Sequence, residues 1–124
     1  MTLSARPLVV LVDDDAAERK ALGRVLHAGG FDHAAYASAE EFLGSPPPQT
    51  PVCFLLDVQL EGMTGLELQA HLNSTGSTVP IIIITGLEDA DVRRQAERSG
   101  CIAYFRKPFE GRQVLEAVRG RIAR

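Results

Sequence analysis

The chain has 124 residues, with 13 basic and 16 acidic side chains and a formal net charge of −3. The two signs are interspersed, which argues against a nucleic-acid footprint or a basic membrane-binding face. This length accommodates one domain, residues 1–124, and the longest apolar runs, about five residues, are far too short to span a membrane. The segment "MTLSARP" has no signal-peptide hydrophobic region, so the expected location is the cytoplasm. Cys53 and Cys101 lack the number and spacing of a zinc site; they read as small core residues, with a disulfide or redox pair as the other reading.

In chain order, the first apolar run, Leu8 to Val12, predicts a strand and ends on three acids, Asp13, Asp14 and Asp15. Ala17, Ala21, Leu22, Val25 and Leu26 then recur at helical spacing, and Gly29-Gly30 ends that helix. A weak strand follows near His33 to Tyr36, then a short helix, Ala39 to Leu43, halted by "SPPP". The run Val52 to Leu56 predicts the third strand, and Leu68 and Leu72 mark a helix from about Gly65 to Leu72. Pro80 to Ile84 predicts the fourth strand. The helix after it, Glu88 to Ser99, has only Ala90, Val92 and Ala96 as apolar anchors and should be the least firmly packed. Ile102 to Phe105 predicts the fifth strand, and Val114, Leu115, Val118 and Ile122 the buried stripe of the last helix.

Strands that are apolar at consecutive positions, such as "PIIII" and "VCFLL", are buried on both faces, which implies a parallel sheet covered by helices. Right-handed crossovers then give a doubly wound α/β domain, with ligand chemistry at the carboxyl ends of the strands. Those ends carry the acids after Val12, then Asp57, Thr85 and Lys107. Clustered carboxylates repel one another unless a cation sits among them. Such a hard oxygen site suits Mg²⁺, which needs only one or two carboxylates besides a phosphate oxygen and water. The triple acid leaves two metal pairs open, Asp13 with Asp14 or Asp14 with Asp15.

From "VVLVDDDAAERKAL" through "FLLDVQLEGMTGLEL" and "IIIITG" to "AYFRKPF", the chain resembles the receiver domain of two-component response regulators over essentially its whole length. The resemblance implies a flavodoxin/CheY-like fold, a five-stranded parallel sheet of order 2-1-3-4-5 with five helices. It implies that Asp57 is the phosphoacceptor, taking a phosphoryl group from a phosphohistidine on a sensor histidine kinase. Mg²⁺ would be held by Asp13, Asp14, Asp57 and the backbone carbonyl of Gln59. Arg19 stands where the family often has arginine, which with Val12 as the last apolar strand residue selects the Asp13-Asp14 pair. Asp15 then falls at a helix start, where its carboxylate favours the dipole.

By the same resemblance Thr85 and Lys107 contact the phosphoryl group, Tyr104 is the aromatic that rotates when Thr85 is drawn inward, and the Lys107-Pro108 bond is cis. The expected output is a changed face on the fourth helix and fifth strand, controlling a homodimer or an effector, and reaching DNA only through a separate output domain. The wording "ITG" and "RKPF" is similar to receivers joined to LuxR-type helix-turn-helix factors, and the chain could be complete or part of a longer protein. Leu60-Glu61 replaces the family's frequent "MP". Leu87, with Gln59 opposite, is expected to hinder the attacking water and prolong the phosphorylated state.

Two rivals belong to other classes. A haloacid-dehalogenase-type phosphatase places a second Asp two residues after its nucleophile, where this chain has Gln59. A degenerate receiver would bind partners without phosphorylation, yet every required side chain is present. A receiver acts on itself alone, so an enzyme with a separate substrate is not expected. His27, His33 and His71 read as scattered surface or boundary residues, and Arg93, Arg94 and Arg98 as a solvated face of the fourth helix.

Overall fold

The structure, a computed structural model, describes residues 6–122. Strands β1 (Leu8–Val12), β2 (Asp32–Tyr36), β3 (Cys53–Asp57), β4 (Ile81–Thr85) and β5 (Ala103–Arg106) alternate with helices α1 (Ala16–Ala28), α2 (Ala39–Gly44), α3 (Gly65–Ser74), α4 (Ala90–Arg98) and α5 (Gly111–Ile122). All strand pairs are parallel and the sheet order is β2-β1-β3-β4-β5, so the doubly wound fold expected from the residues is present.

Side chains on a strand alternate between faces, so an all-apolar strand feeds two cores. Val10, Val12, Phe54, Leu56, Ile81 and Ile83 form one with Ala39, Phe42, Leu68, Leu72 and Ala96 of α2 to α4. Val9, Leu11, Cys53, Leu55, Ile82 and Ile84 form the other with Leu22 and Leu26 of α1 and Val114 and Val118 of α5. The side chain of Ile122, expected on the same stripe, lies outside the described residues. The outer strands β2 and β5 contain no fully buried residue, which accounts for the weak apolar signal of β2.

Strands β3, β4 and β5 each begin and end one residue later than their apolar runs suggest. The cause is pairing: Asp57 lies beside Ile84 and Thr85 beside Arg106, so two polar residues complete ladders that hydrophobicity had closed earlier. Helix α4 is shorter than its sequence pattern because Asp89 caps it, accepting from the N–H groups of Asp91 and Val92. Only Ala96 of α4 is buried, whereas α3 buries Gly65, Leu66, Leu68, Gln69 and Leu72 and starts with a capping box between Thr64 and Glu67. The Lys107-Pro108 bond is cis.

Candidate functional site

The end of β1 is fixed by three local contacts. The Asp15 carboxylate caps α1, accepting from the N–H groups of Ala17 at 2.8 Å and Glu18 at 3.1 Å. Asp13 Oδ1 in turn accepts from the Asp15 N–H at 2.9 Å, and Arg19 Nη1 donates to the Asp13 carbonyl at 2.7 Å. Asp15 is thereby occupied as a cap, and the acids that face β3 are Asp13, buried, and Asp14, exposed. One carboxylate oxygen from each of Asp13, Asp14 and Asp57 lies within 4.8 Å of the other two.

Asp57 is 3% exposed and its Oδ1 accepts from the Gln59 N–H at 3.0 Å. The following loop folds back so that the Gly65 N–H donates to the Val58 carbonyl at 3.1 Å. At Gly65 any side chain would collide with the backbone carbonyl of Asp57. The start of α3 therefore lies directly on the backbone of the central carboxylate, a close approach open to glycine alone.

Lys107 reaches the acids from just beyond the end of β5. Its backbone N–H donates to the Thr85 carbonyl at 2.8 Å, tying the end of β5 to β4. Its Nζ lies 2.6 Å from Glu18 Oε1, 2.8 Å from Asp57 Oδ2 and 3.3 Å from Asp13 Oδ2. Burial would lower the Lys107 pKa, but its hydrogen bonds to Asp57 and Glu18 and the nearby Asp13 outweigh that and raise it. Asp13 is pushed up to about 6, first by burial and then by the charges of Asp57 and Glu18, against the opposing Asp15 N–H and Lys107. Asp57 is also raised by burial, despite Lys107 and the Gln59 N–H. Like charges crowded in a partly dry site disfavour the ionised acids, and a cation among them would relieve this.

Thr85 is wholly buried, and its Oγ1 accepts from the Leu87 N–H at 3.0 Å. Gln59 is exposed, and its side chain reaches across toward Gly86. Tyr104 stands apart from the acids, level with Ile83, with the Arg93 guanidinium 5.1 Å from its ring centre. Its hydroxyl is buried and has no hydrogen-bond partner among the described residues. Leu87, Tyr104 and Arg93 line an open groove of about 260 Å³.

Two residues of the site had no signal in the sequence. Glu18 looks like an ordinary first-turn acid, and its partner Lys107 is 89 positions away. Gly65 looks like a helix start. His27 and His33, scattered in sequence, line one groove with Lys20, Gly23 and Arg24. Arg93 and Arg94 are exposed as expected, each paired with an acid of α4, Glu97 and Asp91 respectively.

Comparison with known proteins gives a consistent picture. The family model described as "Response regulator receiver domain" matches residues 9–119. Nodulation protein W of Bradyrhizobium diazoefficiens is 35% identical over 93% of this chain and 51% of its own length. Transcriptional regulatory protein FixJ of Azorhizobium caulinodans is 33% identical over 94% and 55%. The chain thus spans about half the length of these curated relatives. The response regulator StyR superposes with a TM-score of 0.86 at 34% identity, over 96% of this chain and 60% of that one. A receiver domain protein of Methanospirillum hungatei JF-1 shares the fold with a TM-score of 0.88 at 24% identity, over 96% and 95%. With the sheet order and the placement of its strand-end acids, the match over residues 9–119 shows that this chain belongs to the response regulator receiver domains of two-component signalling.

Proposed function

We propose that this receiver accepts a phosphoryl group on Asp57 from a sensor histidine kinase, in a Mg²⁺-dependent reaction, and changes its α4–β5 face in response. The observation that carries the reading is the gathering of Asp13, Asp14 and Asp57 within 4.8 Å, with Lys107 Nζ 2.8 Å from Asp57. Three hard carboxylate donors in a small space fit Mg²⁺, with the Gln59 carbonyl as a further ligand. The cation, when bound, neutralises charge on the phosphoryl oxygens and the acids. An Asp57 oxygen attacks phosphorus, the phosphorus–nitrogen bond of the phosphohistidine breaks, and the imidazole leaves with the electron pair and takes up a proton. Phosphoryl transfer asks chiefly for alignment and charge stabilisation, and Lys107 supplies a fixed ammonium for both.

Because the Thr85 hydroxyl accepts from Leu87, its own proton remains available to donate to a phosphoryl oxygen. Drawing that hydroxyl inward opens space toward Tyr104, whose buried, unpartnered phenol is poorly satisfied in its present position. The affected face then governs homodimer formation or an effector in the cytoplasm; contact with DNA requires a separate output domain. Relatives named as transcriptional regulators, about twice its length, support that last step. By the resemblance to receivers Leu87, with Gln59 opposite, hinders the water that would attack the phosphoryl group, and Leu87→Asn is expected to hasten dephosphorylation; equal or slower loss would sink that role.

The main test is incubation with acetyl phosphate and Mg²⁺ followed by intact mass measurement. One phosphoryl group should appear on the native chain and none on Asp57→Asn or without the cation. No gain on the native chain would overturn the reading and leave a module that binds partners unmodified.

A further inference from the structure

Glu18 lies outside the residues that the phosphoacceptor reading requires, yet it makes the shortest contact of the Lys107 ammonium, 2.6 Å against 2.8 Å to Asp57 and 3.3 Å to Asp13. Its place is set by the fold: the Glu18 N–H donates to the Asp15 cap at 3.1 Å, and the next residue, Arg19, is anchored on the Asp13 carbonyl at 2.7 Å. The first turn of α1 is thus doubly fastened to the end of β1. The carboxylate itself is 30% exposed, against 2% and 3% for Asp13 and Asp57, so of the three acids it can return to water with least loss.

We propose that Glu18 is a positioning residue that competes with the phosphoryl group for Lys107. While Asp57 is unmodified, Glu18 draws the ammonium toward α1 and balances its charge. When a phosphoryl dianion stands on Asp57, two like-charged groups share the one Lys107 ammonium, and Glu18 weakens the hold of the site on the anion. The inference rests on the phosphoacceptor reading and adds a setting of its strength: this chain carries a built-in counterweight that favours the unphosphorylated state.

Removing the charge should move anion and cation affinity in opposite senses, which loss of structure cannot do. Calorimetric titration with beryllofluoride at saturating Mg²⁺ is expected to show about two- to fivefold tighter binding by Glu18→Gln than by the native chain, the span of a partly exposed ion pair. Titration with Mg²⁺ alone should show weaker affinity in the variant, because one nearby negative charge has gone. Glu18→Asp, too short to hold the 2.6 Å contact, should fall between the two proteins for beryllofluoride. If the native chain binds beryllofluoride and Glu18→Gln binds it equally or more weakly, this inference is overturned alone. If the native chain does not bind it, the phosphoacceptor reading falls and takes this inference with it.

Discussion

The carboxyl ends of β1 and β3 and the neighbouring α4–β5 face are held by different forces. At the first, Asp13 and Asp57 sit at the ends of strands buried along their whole length, and each is braced by a backbone N–H and by Lys107. At the second, α4 buries Ala96 alone and is pinned mainly near its C-terminus, where Gln69 and Asn73 of α3 donate to the carbonyls of Ala96 and Ser99. The N-terminal part of α4 and the end of β5 carry exposed pairs, Arg94 with Asp91 and Arg106 with Glu88. Exposed pairs contribute little to stability, so this face can be rearranged at low cost while the acid cluster cannot. The molecule therefore sets a firmly braced acid cluster beside a loosely anchored helix and strand.

The contrast breaks most severely if the rigid side is overfilled. Gly65→Ala puts a methyl group against the Asp57 carbonyl. It is expected to cost about 3 kcal/mol or more in urea unfolding, and to displace Asp57 enough to impair phosphorylation even where the fold survives. Wild-type stability in that variant would show that the α3–β3 approach is not tight.

Truncating one apolar side chain on each of α3 and α4 should cost unequally. Leu68, wholly buried on α3, should cost about 2–5 kcal/mol on change to Ala, whereas the half-buried Val92 of α4 should cost about 1 kcal/mol or less. Equal losses would contradict the unequal anchoring of the two helices.

The smallest effect is electrostatic and is read in chelator, without divalent cation. Burial raises the Asp13 pKa from 3.8 to about 6 in the folded chain. A raised carboxyl favours folding in its protonated form, so its contribution is full below the unfolded pKa and is lost as pH rises through about 6. Unfolding stability should therefore be greater at pH 5 than at pH 8 by about 1 kcal/mol from this group. Asp13→Asn should abolish that increment; a native slope unchanged in the variant would assign it elsewhere.

Much of the fold was legible because buried parallel strands must be apolar on both faces. "VCFLL" and "PIIII" could therefore be read as strands covered on both faces, and the carboxyl ends of the strands named as the edge where ligand chemistry belongs. Strand ends were less legible, since backbone pairing carries polar residues such as Asp57 and Thr85 into the ladder where hydropathy sees a boundary. Asp15 became a cap rather than a site acid through contacts that the triple acid alone left ambiguous.

Residue order was enough to specify the alternating strands and helices and the placement of the acids after Val12, Asp57, Thr85 and Lys107 on one edge of the sheet, because these depend on local periodicity and on topology rules; the choice of Asp13 with Asp14 came from the resemblance to receivers. Three features needed the folded chain: the third carboxylate on Lys107, the pressing of Gly65 on Asp57, and the seating of Tyr104 beneath Arg93. Each joins residues from different elements at distances of a few ångströms. Helical or strand spacing cannot register such contacts, since they arise from how the elements settle against one another. The opening acids of "LVDDD" thus declared a charged site, and the packing around them distributed its roles.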